Sequence, residues 1–201
     1  MMDISSNILI NFQIKFYLKK LWNIKMDEIL PKCYVFGMDS VGKTEIINKF
    51  KENIEVREKE SSFVPITRSN GALLDVEIIE IPIGEENKML LSRFNAFIAV
   101  YDVTNKSSFD SISEIINKSQ PKQKIKIFSN LIIVGNKCDL KDSREVSEEE
   151  GKKLAKQYKD SKFIESSTID NININEIFIK SADSIAQFSE KNIDTSCCLL
   201  I

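Results

Sequence analysis

Apolar residues change their spacing from one segment of this chain to the next. Cys33-Tyr34-Val35-Phe36 and Leu131-Ile132-Ile133-Val134 are short unbroken apolar runs, as buried strands carry, whereas Ile46, Ile47 and Phe50 recur at helical spacing. The pattern predicts a strand over Lys32–Phe36, a helix over Thr44–Asn53, and a hairpin of Phe63–Thr67 and Leu73–Glu80. Asn70-Gly71, a preferred two-residue turn, would close that hairpin. Three more strands follow, each with a helix behind it. Ser147-Glu148-Glu149-Glu150 has the spacing of a capping box, and Asn173 with Glu176 similarly opens the last helix, along which Ile174, Ile177, Phe178, Ala182 and Ile185 keep helical spacing. Such alternation implies an α/β fold: a mostly parallel six-stranded sheet with one antiparallel hairpin strand and helices on both faces.

Between the first strand and its helix lies Gly37-Met38-Asp39-Ser40-Val41-Gly42-Lys43-Thr44, a complete phosphate-binding loop pattern in the strand-to-helix context it requires. Glycines let successive backbone N–H groups turn inward around phosphates, which makes Asp39, Ser40, Val41, Gly42, Lys43 and Thr44 the candidate contacts. Lys43 reaches the outer phosphate oxygens and the Thr44 hydroxyl is a ligand for Mg²⁺. The helix behind the loop adds the positive end of its dipole. About ninety residues on, Leu131–Val134 runs into Gly135-Asn136-Lys137-Cys138-Asp139. A carboxylate at Asp139 can accept two hydrogen bonds from the N1–H and exocyclic amine of guanine, which adenine does not present. Together the two motifs imply GTP or GDP, with Mg²⁺, on a P-loop NTPase fold.

From about Lys32 to the last residue the chain resembles the Ras-like small GTPases. Ala96 to Tyr101 is similar to their central strand, and Asp102-Val103-Thr104-Asn105-Lys106-Ser107-Ser108-Phe109 to the connection into their third helix. Phe163-Ile164-Glu165-Ser166-Ser167 resembles the last strand and the short base-contacting loop. The resemblance places Asn136, Lys137, Asp139, Leu140, Ser167 and Thr168 around the base, with the Ser167 backbone touching the guanine. Thr168 and Ile169 stand where the family usually has alanine and lysine, so the loop's backbone role is expected to persist with altered packing on the base.

The departures cluster where hydrolysis is run. Glu80 stands where the family has the aspartate that holds Mg²⁺ through water, which leaves a carboxylate on a longer arm and a weakened metal site. Ile81-Pro82-Ile83-Gly84-Glu85-Glu86 resembles the switch that senses the terminal phosphate, with one extra residue before Gly84. Glu85 falls where a glutamine would orient the attacking water; an anionic carboxylate lacks the amide's donor and is repelled by phosphate. The first switch is about four residues short, and Ser62, or Ser61, is the candidate to cap Mg²⁺. Asp39 occupies a position where Ras members usually have glycine, and its side chain can crowd an inserted arginine from an activating protein. With Lys43 and Glu85 as the catalytic candidates, slow turnover is expected. Two readings stay open: a slow GTP/GDP signalling switch read by effector, exchange-factor and GTPase-activating proteins, and a non-hydrolysing GTP-binding interaction module.

The 201 residues make a comfortable single domain, read over 31–190, with a net charge of −2 that gives no basic field for nucleic acid; a monomer is expected. The four cysteines show neither a disulfide framework nor zinc spacing, which fits a reducing cytosol. In the tail, 191–201, Cys198-Leu199-Leu200-Ile201 fits a prenylation signal whose large final aliphatic leans toward geranylgeranyl. One lipid is not a stable anchor, so acylation of Cys197 would supply the second signal, placing the protein on the cytoplasmic face of a membrane with a cytosolic pool. Residues 1–30 read in two ways. Lys15, Lys19, Lys20 and Lys25 among Phe16, Tyr17, Leu18, Leu21 and Trp22 could form a basic membrane-surface helix, or the native product could start at Met26 without them.

Overall fold

The computed structural model describes residues 31–54, 63–85, 89, 95–119 and 130–196, with the side chains of 118–119 and 188–196 left aside. The expectations placed on residues 1–30, Ser61, Ser62, Glu86, Cys197 and Cys198 lie outside the described residues.

Six strands form one sheet: β1 (Lys32–Phe36), β2 (Phe63–Thr67), β3 (Leu73–Glu80), β4 (Ala96–Asp102), β5 (Leu131–Asn136) and β6 (Lys162–Ser166), in the spatial order β2-β3-β1-β4-β5-β6. Only β2 runs antiparallel to its neighbour; β1 is parallel to both β3 and β4, and β4, β5 and β6 continue the parallel set. Four α-helices, α1 (Lys43–Asn53), α2 (Lys106–Ser119), α3 (Glu148–Ala155) and α4 (Ile174–Ser196), accompany it among the described residues.

Strand composition follows from this layering. A strand covered on both faces has no polar side, and every residue of β4 and of β5 is buried. Alternate side chains divide between two cores. Val35, Ile98, Val100 and Val134 pack with Ile46 and Phe50 of α1 and Ile177 and Phe178 of α4, whereas Phe36, Phe97, Tyr101 and Ile133 pack with Ile112 and Ile116 of α2 and Leu154 of α3. The Phe50 and Phe178 rings stack 4.1 Å apart and tie α1 to α4 on one face of the sheet.

The hairpin turn differs from the two-residue expectation. Arg68 N–H donates to the Ala72 carbonyl at 2.8 Å and Gly71 N–H to the Arg68 carbonyl at 2.9 Å, which encloses the three residues Ser69, Asn70 and Gly71. Only Gly71, at φ 82°, is left-handed, as in a turn followed by a glycine bulge, whereas the expected two-residue form needs positive φ at Asn70 as well. Asn70 instead accepts the Ala72 N–H on its side chain. The Ser147 capping box forms in full. Asn173 sits at the start of α4, but at φ 55° its amide donates to the Glu165 carbonyl, and the Glu176 carboxylate pairs with Lys180; that anticipated box is replaced by a tie to β6.

The chain winds to one side of β1 through β2 and β3 and then crosses to β4 on the other side. Such a reversal opens a crevice outside the carboxyl ends of the strands. The loop after β1, the last residue of β4 and the loops after β5 and β6 all meet there.

Candidate nucleotide-binding site

The phosphate loop is shaped by positions that reject side chains. A Cβ on Gly37 would lie 2.1 Å from the Val100 carbonyl oxygen, and one on Gly42 would lie 2.2 Å from the Asn136 side-chain nitrogen, so neither position accepts another residue as it stands. Gly42 is also the N-cap of α1, with φ 96° and no side-chain cap. The first N–H groups of the helix are therefore not claimed by a capping side chain, and an anion is their natural partner. Lys43, buried, donates to the carbonyls of Met38 at 2.8 Å and Gly37 at 3.2 Å. Its ammonium is thus held inside the loop, where phosphate oxygens would arrive.

Base loop and phosphate loop are joined directly. The Asn136 amide, buried at the end of β5, donates to the Val41 carbonyl at 2.9 Å and accepts from the Ser166 hydroxyl at 3.1 Å. Lys137 donates to the Ser40 carbonyl at 3.0 Å. Its backbone is left-handed at φ 65°, a conformation that costs a non-glycine residue about 1–3 kcal/mol and persists where surrounding contacts over-determine it. Asp139 is half-buried, and its carboxylate accepts no hydrogen bond from the described residues, which leaves both oxygens for a ligand. Leu140 follows it at the surface. Burial first, then the negative charges of Glu165 and Asp139, push the Cys138 thiol pKa up.

The loop after β6 is tightly folded. Ser167 is buried, and its N–H and C=O both bond Ile172, while its hydroxyl accepts the Asp170 N–H at 3.0 Å. The next amide, that of Thr168, has no partner among the described residues. Asn53, at the end of α1, donates to Asn171 of the same loop at 2.9 Å and to Asn175 in the first turn of α4 at 2.8 Å. Beneath it, Arg144 grips Glu165 through both terminal nitrogens, the second at 3.0 Å.

On the metal side, the Thr44 hydroxyl donates to Glu80 at 2.8 Å, and the other Glu80 oxygen lies 3.9 Å from the Lys43 ammonium. These are hard oxygen donors at the mouth of the phosphate loop. They fit Mg²⁺, which characteristically takes one or two protein oxygens and completes its shell with phosphates and water. Among the described residues no group of three or more His, Cys, Asp or Glu could hold a metal by itself, so the ion would depend on the nucleotide. Beyond β3, Glu85 N–H donates to the Pro82 carbonyl at 3.1 Å, closing a turn with Gly84 at φ 83°, where such turns want glycine. Asp39 and Gly84 are exposed and Glu85 is half-buried.

Asp102 belongs to neither nucleotide motif, yet the fold brings it into the site. It ends β4, is buried, and meets Lys137 at 2.6 Å. The available signal was a carboxylate closing an otherwise apolar strand at the sheet's carboxyl end.

The Ras family model matches residues 83–187, just over half of the chain. Ras-related protein Rab-12 of Mus musculus is 28% identical over 163 residues, covering 75% of this chain and 65% of that protein, and its Rattus norvegicus counterpart matches to the same extent. The chain thus spans about 65% of the length of these curated relatives. It belongs to the Ras family, as a divergent Ras-like small GTPase.

Proposed function

We propose that this protein is a guanine-nucleotide switch that binds GTP and GDP with Mg²⁺ and hydrolyses GTP slowly. The observation that carries this reading is the pair of bonds from Asn136 to Val41 and from Lys137 to Ser40, which fix a guanine-selective loop against a phosphate loop. Asp139 would read the base with Leu140, Ser167 and Thr168 around it. The phosphate loop from Asp39 to Thr44 would cradle the phosphates with Lys43 countering their charge. Thr44 and Glu80, joined by Ser62, would hold Mg²⁺, which when bound neutralises charge developing on the transferred phosphoryl group.

Glu85 offers a carboxylate where water needs an orienting amide, and Glu80 reaches the Thr44 hydroxyl directly. These features favour slow turnover, or none, in which case the protein acts as a GTP-binding interaction module. Effector, exchange-factor and activating proteins would sense the nucleotide through the two switches, the second of them running from Ile81 to Glu86 and including Gly84. No helix among the described residues is long and apolar enough to cross a membrane; lipidation of Cys198, supported by Cys197, is the proposed attachment to a cytoplasmic membrane face.

Nucleotide affinity and multiple-turnover GTP hydrolysis of the purified full chain, with and without Mg²⁺, test this. Tight guanine binding with Mg²⁺-dependent turnover is the expected result. Tight binding without turnover replaces the switch by the interaction module, and absence of guanine binding overturns both.

A further inference from the structure

The Lys137 side chain is held at two points, one of which lies outside both nucleotide motifs. Its ammonium has two partners: the Ser40 carbonyl of the phosphate loop at 3.0 Å and one Asp102 oxygen at 2.6 Å. The other Asp102 oxygen accepts two bonds from Thr104, from N–H at 2.8 Å and from the hydroxyl at 2.7 Å. The Asp102 N–H donates to Ser108 at 3.0 Å, and the Ser108 hydroxyl in turn donates to the Asn105 carbonyl at 2.7 Å. Val103 N–H donates to the Asn136 carbonyl at 3.0 Å. Asp102 therefore stands on the central strand, aimed by its own turn and by the first turn of α2, with one oxygen reserved for Lys137.

A lysine stem has four rotatable carbons and no preferred direction in water. Held only by one carbonyl it would sample many rotamers, and a nucleotide would have to order it on binding. The second anchor removes that freedom beforehand. The pair is also partly withdrawn from water, with side-chain exposures of 33% for Lys137 and 10% for Asp102, so loss of one charge leaves the other poorly compensated.

We propose that Asp102 is a positioning residue for nucleotide retention, acting through Lys137: it orders the lysine that links the base loop to the phosphate loop, and so slows nucleotide release. This inference rests on the guanine-nucleotide reading above.

Release of the fluorescent analogue N-methylanthraniloyl-GDP from the full chain tests it, in wild type, Asp102→Asn, Lys137→Ala and the double variant. Asparagine keeps the oxygen that Thr104 uses and replaces only the one facing the ammonium. Release from Asp102→Asn is expected to be about tenfold faster, the size of a lost charged hydrogen bond. The double variant is expected to release no faster than Lys137→Ala alone, because the two changes break one device. Thr104→Val, which leaves both charges in place and withdraws one of the bonds aiming the carboxylate, is expected to speed release by a smaller factor, about threefold. Wild-type release rates in both Asp102→Asn and Thr104→Val, or effects of Asp102→Asn and Lys137→Ala that multiply in the double variant, overturn the assignment while leaving the guanine reading intact. A wild type that retains no guanine analogue overturns that reading and this one with it.

Discussion

The base side and the metal side of this site share one phosphate loop and are built to different standards. On the base side, Asn136 and Lys137 each have two side-chain partners, drawn from the phosphate loop and the ends of β4 and β6, and the polar atoms converge at 2.6–3.1 Å. On the metal side, the recurring polar group is Glu80, on the last residue of β3, touching Thr44 and approaching Lys43. On the proposed reading, base selectivity would rest on side chains tied to one another at strand ends, whereas hydrolysis would depend on a longer, more exposed arm and a surface turn. A site divided in this way can keep its ligand while losing its chemistry.

The sharpest break of the comparison is Asp139→Ala. If the base side is a preorganised reader, losing the carboxylate should weaken GDP binding by about a thousandfold or more, since a site built to satisfy a ligand's donors discriminates strongly against a missing partner. Isothermal titration with GDP measures this, and a loss of only a few-fold would mean that the phosphates alone carry the affinity. Gly42→Ala attacks the seam between the two sides. Its Cβ would sit 2.2 Å from the Asn136 nitrogen on a backbone at φ 96°, so Asn136 must leave Val41 or the loop must shift. A strain of about 2 kcal/mol is expected, read as roughly thirtyfold weaker GDP binding.

On the metal side the expected change is smaller and of opposite sign. Glu85→Gln restores an amide donor and removes a negative charge beside the phosphate. If the departures there limit turnover, single-turnover GTP hydrolysis should rise about tenfold, the worth of one charged hydrogen bond, with GDP affinity unchanged. Equal rates in both proteins would place the block elsewhere, with Glu80 the next residue to change.

The fold was legible because its signals are redundant. Apolar runs, helical spacing and the glycine loop each fix the order of elements, and Ser147 with Glu150 marked its helix start correctly. What escaped the sequence were choices between near-equal local geometries. Asn70-Gly71 can serve a two- or a three-residue loop, and the contacts of Ser69 with Asp183 of α4 favour the longer one. Asn173 can cap a helix or bridge to a strand, and the Glu165 carbonyl claimed it. The phosphate and base motifs were legible because each is contiguous. Asp102 was not, because its partner lies 35 residues away and only strand pairing between β4 and β5 brings them together.

The smallest expected effect concerns the support of the base side, not its contacts. Glu150 completes the capping box of α3 and bonds Lys106 of α2 at 2.7 Å, so it ties two helices that flank the ends of β4 and β5. Lys106 first, then the Ser147 backbone and hydroxyl, hold its carboxyl pKa at about 2, against 4.5 for a free glutamate. A depressed value means that the folded state favours the ionised form: the contribution is fully present above about 4.5 and is lost as pH falls toward about 2. Melting temperatures of wild type and Glu150→Gln should therefore differ by a constant amount from neutral pH down to the upper limit of that window and converge below it. Ser147→Ala removes the other half of the box and should cost about 1 kcal/mol of stability. Neither variant should alter GDP affinity near neutral pH. If either does, the base side is not a self-sufficient constellation of strand ends, and the helices behind it take part in setting its geometry.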